Sequence, residues 1–205
     1  MRAFKLSLYF FALILALILG GCGLPSTSQK ALPLPQVSSP AAQHAISSTP
    51  IPRLKVNASP VRLLIPAIAV SASIEMVGVT SNGNLAVPTQ NPWVDVGWYG
   101  SGPRPGERGS AVIDGHVDRP GGYPAVFWRL RFIHVGDAVL VTDASRKSLR
   151  FHVTGIAFYP PQDAPIQDIF GNETGTYLNL ITCAGDWIPS QHQTSLRLVV
   201  YTSLG

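Results

Sequence analysis

The sequence predicts an all-β domain, a closed barrel or a sandwich, carried behind an export signal and a stalk. Three observations predict it. Between Val61 and Ser203 about eight short apolar runs follow one another, several with the period of two expected of half-buried strands. The 19 glycines and 18 prolines are a turn-rich usage, ordinary for a β domain and high for a helical one. Only one stretch, Ala125 to Ile133, carries a clear helical period, and there is no internal repeat.

In order, Val61 to Ile65 is a strand ended by Pro66. Val70 to Val79 is a second, with Ser71 and Ser73 alternating against Val70, Ala72 and Ile74. Ser81-Asn82-Gly83-Asn84 is a turn, because Asn-Gly suits the positive φ of tight hairpins, and Leu85 to Pro88 is a short strand after it. Gly97-Trp98-Tyr99-Gly100 is an aromatic step into the polar loop Ser101 to Gly109. Ser110 to Asp114 is a buried-type strand with His116 just beyond its end. In the predicted helix Ala125 to Ile133, the side chains of Val126, Phe127, Leu130 and Ile133 share a face, with Arg129 and Arg131 off it. Ala138 to Thr142 and Ser148 to Tyr159 are strands around the turn Asp143 to Lys147. Pro160-Pro161 stops the second, and the polar Gln162 to Gly175 holds one helical turn near Ile166 to Phe170. Tyr177 to Cys183, broken at Gly185, and Ser195 to Ser203 are the last two strands.

Residues 1–22 have the layout of a bacterial signal peptide: Arg2 and Lys5, then an apolar run from Leu6 to Leu19, then small residues. That run is shorter than the roughly 20 residues a comfortable membrane span needs. Leu19-Gly20-Gly21-Cys22 resembles a bacterial lipobox, which would make Cys22 the lipidated first residue of the mature chain. An uncleaved anchor and an ordinary secretory signal are the alternatives, and all three place the domain outside the cytoplasm. Residues 23–60 hold seven prolines and seven serines without a sustained hydrophobic period, as expected of an extended stalk. Its reach is on the order of 120 Å if polyproline-like and about 35 Å as a flexible coil. Residues 61–205 form the domain.

Charge excludes little but is informative. The formal net charge is +4, from 15 Lys and Arg against 11 Asp and Glu. Arg2 and Lys5 lie in the export segment, leaving 13 basic against 11 acidic side chains. With no basic cluster carrying interleaved aromatics, nucleic acid is not an expected partner.

The chain has two cysteines. With Cys22 consumed by the tether, Cys183 is solitary, with no intrachain disulfide partner, in an oxidising compartment. His116 and Arg197 could complete a site with it. A nearby cation favours the thiolate, which is the nucleophile. A histidine can provide that charge and pass a proton to a leaving amine. A fixed arginine fork suits the negative charge that develops on an attacked carbonyl oxygen, or the positioning of a substrate. Each residue also has a plainer reading: a buried small hydrophobe for Cys183, a turn histidine for His116, an outward solvated arginine for Arg197 between Leu196 and Leu198. Residue pattern alone stops at an exported β domain with a possible Cys–His–Arg site.

The run Ala111-Val112-Ile113-Asp114-Gly115-His116-Val117-Asp118 is followed 67 residues after the histidine by Cys183, in Leu180-Ile181-Thr182-Cys183, and 14 residues later by Arg197. This arrangement resembles the sortases over roughly Val61 to Leu204. The order His, Cys, Arg matches that family's catalytic residues. The Gly-Trp-Tyr and Pro-Arg-Pro-Gly-Glu segments, Gly-His-Val-Asp, and Ala-Val-Phe-Trp-Arg-Leu look most like the class F branch. The family's cysteine motif is commonly Thr-Leu-x-Thr-Cys, and here Asn179 stands at the first Thr.

The resemblance implies a closed eight-stranded barrel with one or two short helices. It implies cleavage of an LPxTG-type sorting signal between Thr and Gly through a Cys183 thioester, then transfer to an amine from a cell-wall precursor or another protein. His116 would move the protons and Arg197 would hold the substrate and its oxyanion. No cofactor or metal is expected. Thr182, Asp118, Trp187 and His192 are candidate substrate-binding residues. Two rivals differ in class: a lipid-anchored peptide-binding barrel with an idle site, and an L,D-transpeptidase-like cell-wall enzyme. The latter usually carries an arginine two residues after its cysteine, where this chain has Gly185.

Mass spectrometry of the mature protein is expected to find a chain beginning at lipidated Cys22. A chain that starts elsewhere, or retains residues 1–21, overturns the lipoprotein assignment.

Overall fold

The computed structural model describes residues 57–205; the signal and lipobox Cys22, and the stalk up to residue 56, lie outside the described residues. Eight strands close a barrel in the order β1-β2-β3-β4-β9-β10-β8-β7. They are β1 (Pro60–Ile65), β2 (Val70–Val77), β3 (Val96–Tyr99), β4 (Gly109–Asp114), β7 (Ala138–Asp143), β8 (Ser148–Tyr159), β9 (Thr176–Ile188) and β10 (Gln193–Leu204). A two-stranded ribbon, β5 (Asp118–Arg119) with β6 (Tyr123–Pro124), and one short helix, α1 (Ile166–Phe170), stand outside the barrel. The pairs β2–β3 and β4–β9 are parallel, and the other neighbours are antiparallel.

Alternation sorts the side chains. Leu63, Ile65, Ile113, Phe151, Leu178, Leu180 and Leu198 fill the interior at 0–2% exposure. Burying side chains of this size contributes about 1.5–3 kcal/mol each. On the outer face of β4, β9 and β10 a second cluster forms around Val112, Ile169 and Val199, where α1 covers the sheet. That cover makes one wall of the groove described below.

Three elements differ from the sequence expectation. The expected strand Leu85 to Pro88 is only a single bridge, Val79 to Leu85, because Pro88 has no N–H to give a ladder. The barrel's eighth strand is instead β3, the segment expected to be an aromatic step into a loop. Its Gly97 is required there: a Cβ at that position would lie 2.5 Å from Asp114 Oδ1.

The expected helix Ala125 to Ile133 is a 3-10 segment, Trp128–Phe132. Its bonds are Leu130 N–H to Phe127 O at 3.0 Å and Ile133 N–H to Leu130 O at 3.2 Å. The buried residues Phe127, Leu130 and Ile133 recur every third position, the period of this tighter helix. No side chain caps it, and aromatic residues in its turns favour no longer α-helix.

Gly185 does not end its strand. It adopts φ 73°, the pairing with β10 shifts register between Thr194 and Leu196, and β9 runs on to Ile188. This is a glycine β-bulge.

Phe127 is 0% exposed, its N–H donates to His116 O at 2.9 Å, and its ring packs over Gly115. Phe127→Ala is expected to cost about 3–5 kcal/mol in urea unfolding. A loss under 1 kcal/mol would show that the segment does not support the end of β4.

Candidate active site

Strand register brings His116, Cys183 and Arg197 into one row. In the parallel pair β4–β9, Asp114 is level with Ile181. The chain leaves β4 still bonded, Gly115 N–H donating to Ile181 O at 3.2 Å. His116, two residues beyond Asp114, is thereby carried level with Cys183, two beyond Ile181. Across the antiparallel pair, Cys183 stands directly opposite Arg197. Directly opposed residues share a face, and neighbouring strands lie about 4.8 Å apart. All three line one groove of about 770 Å³ on the outer face of the barrel.

Each member is held differently. His116 is half-buried, with the Trp93 ring tilted against its imidazole at a centroid distance of 4.9 Å. Burial pulls its titration below the usual histidine value, and the nearby Asp118 charge opposes this. Its approach is clamped from below: Thr182 Oγ1 donates to Gly115 O at 2.7 Å. Cys183 is a free, half-buried thiol. Just past it comes the Gly185 bulge, where any Cβ would collide with Ser195 Oγ and where Asp186 N–H donates to that hydroxyl at 3.0 Å.

Arg197 is tied to the start of its own strand. Nη1 donates to Thr194 O (3.3 Å), Thr194 Oγ1 (3.0 Å) and Leu196 O (3.1 Å), and Nη2 donates to Gln193 Oε1 (3.2 Å). These acceptors are all neutral, so the guanidinium keeps its charge available to the groove.

The other candidates spread out. Thr182 is buried with its hydroxyl committed to Gly115 O. Asp118 is exposed on β5 and lines a second cavity of about 400 Å³, which also touches Thr182 and Cys183. His192, in the left-handed region at φ 52°, lines the main groove. Trp187 stands 58% exposed on the β9–β10 hairpin, opposite Thr194.

Sequence reasoning passed over two residues. Trp93 reaches His116 from a loop with no local pattern to announce it. Asp114 did carry a signal, a carboxylate closing the apolar run Ala111-Val112-Ile113. It lines the groove at 8% exposure, with no hydrogen-bond partner for Oδ1, and burial pushes its carboxyl up to about 7. Asn179 is explained too. It is buried, and its Nδ2 donates to Ile169 O at 2.6 Å, fastening α1 to the sheet. Among the described residues no three His, Cys, Asp or Glu side chains gather to hold a metal ion.

Residues 63–205 match the family model for the sortase domain. No curated protein matches the sequence. Among solved structures the chain is similar to sortase A from Corynebacterium diphtheriae, at 19% identity and a TM-score of 0.56. That alignment covers 75% of this chain and 63% of the other, so this chain spans under two thirds of that relative's length. It is similar to sortase C-1 from Actinomyces oris, at 22% identity and a TM-score of 0.55, over 72% and 75% of the two chains. Streptococcus agalactiae sortase C1 gives 22% and 0.55 over 71% and 66%.

The groove's titrating groups make opposite demands on stability. His116, depressed in the folded state, disfavours folding only as pH falls below about 6.5, where the unfolded chain takes the proton first. Asp114, raised to about 7, is protonated in the fold where the unfolded chain is ionised, so its penalty grows from about pH 4 to 7. Asp114→Asn is therefore expected to gain stability relative to the parent across that window, by up to about 4 kcal/mol, and to level off above it. Urea unfolding at several pH values checks this; a difference that stays flat from pH 4 to 7 overturns it.

Proposed function

The chain belongs to the sortase family, whose members are cysteine transpeptidases, and from that premise we propose that it cleaves an LPxTG-type sorting signal between Thr and Gly and transfers the acyl part to an amine. The observation that carries this reading is the row of His116, Cys183 and Arg197 across three adjoining strands, at the floor of a groove large enough for a peptide.

The chemistry follows from the row. The Cys183 thiolate attacks the Thr carbonyl carbon, and the carbonyl electrons move to oxygen. Arg197, its charge uncommitted to any carboxylate, stabilises that oxyanion. Collapse expels the Gly amine, which takes a proton from the His116 imidazolium, and leaves a thioester on Sγ. The incoming amine gives a proton to the now neutral His116 and attacks the thioester carbon, so an amide forms and the thiolate returns. Water in its place gives hydrolysis. The second cavity, which also reaches Cys183, offers the amine an approach of its own. Burial lowers the titration of His116 and so favours its neutral form.

The natural amine is assigned to a cell-wall precursor or another surface protein, and the clients to secreted proteins with LPxTG-like C-terminal tails. The likeness of the sequence motifs to class F belongs to the same reading. No helix among the described residues is long and apolar enough to cross a membrane. The tether in this proposal is lipidated Cys22 or an uncleaved N-terminal segment, holding the domain at the outer face of the membrane.

Incubation with fluorogenic LPxTG-type peptides is the direct test. The parent is expected to cleave between Thr and Gly and, with an added amine, to form the transfer product. Cys183→Ala should abolish both, and Arg197→Ala should lower kcat by about 10²–10³. Rate should fall on both sides of a pH optimum, since thiolate and imidazolium must coexist. Absence of thiol-dependent cleavage across a panel of such peptides sinks the proposal.

A further inference from the structure

The backbone that carries His116 is pinned on both sides. Thr182 Oγ1 holds Gly115 O, Phe127 N–H donates to His116 O at 2.9 Å, and Ala125 N–H donates to Val117 O at 3.1 Å. The imidazole itself keeps two torsions, the outer one soft. The histidine side chains with polar partners are His134 and His152; the His116 ring has none among the described residues. A ring that must present a nitrogen to a reacting amine needs something to orient it. What meets this one is Trp93, tilted by 42° at a centroid distance of 4.9 Å. His116 lines the main groove, whereas Trp93 lines neither cavity, so the indole backs the imidazole and leaves its groove side to substrate.

The segment that brings Trp93 there is closed on itself. Glu75 on β2 accepts from Thr89 N–H and Gln90 N–H at Oε2 (2.9 and 3.2 Å) and from Thr89 Oγ1 at Oε1 (2.9 Å). Asn91 O accepts from Val94 N–H at 3.1 Å and Asp95 N–H at 2.9 Å, and Asn91 Nδ2 donates to Asp95 Oδ2 at 3.0 Å. Val96, fully buried, then opens β3. Trp93 therefore sits on a turn tied to the barrel at both ends, through Glu75 before it and β3 after it.

We infer that Trp93 is a positioning residue for the proton transfers, its indole packed behind the His116 imidazole to keep that ring beside Cys183. The inference rests on the acyl-transfer reading above and deepens it, by naming what stands in for a hydrogen-bonding partner of the histidine. Packing orients the ring and leaves both nitrogens free, so a proton is taken up or released without breaking a bond on the far side. The indole also keeps water from one side of the ring. An imidazolium is drawn to an indole face, but a ring tilted by 42° offers only part of that face. Burial prevails, and the titration of His116 lies below its ordinary value, with Asp118 opposing. Asp114, Cys183, His192 and Arg197 share the groove with His116, and none of them is a cause of that shift. The carboxylates beside the indole, Glu75 and Asp95, are engaged by donors of its own loop.

The test measures kcat, KM and the titration of the His116 ring, followed by NMR of its C–H signals, in Trp93→Ala and Trp93→Phe. The alanine variant is expected to lose at least about tenfold in kcat with KM held within about twofold. Its His116 titration should move upward, toward the ordinary histidine value. Trp93→Phe keeps an aromatic face, and its kcat should stay within about threefold of the parent. Trp93→Leu, smaller and ringless, replaces the alanine variant if that one does not fold. The inference is overturned, with acyl transfer left standing, by any of four results in a folded ringless variant or its phenylalanine control. They are a kcat loss under about tenfold, a loss carried by KM, an unmoved His116 titration, or a phenylalanine variant more than about threefold below the parent. If the parent itself cleaves no peptide above the Cys183→Ala background, the acyl-transfer reading falls and takes this one with it.

Discussion

The site depends on one register, the parallel pairing of β4 with β9. Slipping that pair by one residue would turn every side chain of β4 to the opposite face. His116 would then leave the groove while Cys183 stayed. The barrel makes such a slip expensive because both faces of the pair are buried. Ala111 and Ile113 of β4 and Leu178 and Leu180 of β9 face the interior, while Val112 packs outward under Ile169 and Val199. Buried polar groups add exact addresses to this apolar pattern: Asn179 to Ile169 O, Thr182 to Gly115 O, and Thr202 to Leu178 O at 2.6 Å. A slip of β4 would break the Thr182 bond to Gly115 O and leave that buried hydroxyl dry and unpaired, at about 1–3 kcal/mol.

Much of this was legible in the sequence because strands buried on one or both faces leave a strong mark. β8 falls at Ser148 to Tyr159 as its alternation and the following prolines require. The turn before it is held as an aspartate turn, Asp143 Oδ1 accepting from Ser145 N–H and Lys147 N–H at 2.9 Å each. The residue order His116, Cys183, Arg197 likewise needed no coordinates. What sequence could not supply was pairing. Leu85 to Pro88 reads as a strand but has nowhere to pair beyond one bridge, while Gly97 to Gly100 reads as an aromatic step into a loop, and Val96 to Tyr99 fills the gap between β2 and β4. Phe127, Leu130 and Ile133 fit both a 3.6 and a 3.0 period over so short a run, and tertiary packing chose the tighter one.

The groove was the harder part for the same reason. Trp93 reaches His116 across 23 positions of sequence. The function of Gly185 is invisible until the partner strand is known: as a breaker it ends β9, and as a bulge it lets β9 continue while shifting the register against Thr194 to Leu196. Asp114 is a different kind of miss. A carboxylate at the close of an apolar strand is a local anomaly, and local anomalies of that kind mark places where a fold yields stability to a site.

The bulge also settles how Arg197 is presented. Thr194 and Leu196 flank the register shift, and their carbonyls both accept from Arg197 Nη1. The side chain is thus held by the backbone of its own strand and by Gln193, and not by an acid. A carboxylate partner would fix the same geometry but would offset the charge. Neutral acceptors fix the geometry and leave the charge. A guanidinium has five N–H donors, and the bonds seen here occupy only Nη1 and one direction of Nη2, so donors remain for an oxygen arriving in the groove. The Gly185 bulge, two residues beyond the thiol, therefore does for Arg197 what the Thr182 clamp does for His116. The clamp holds the approach to His116 by the backbone of Gly115, and the bulge region holds Arg197 by its guanidinium on neutral acceptors.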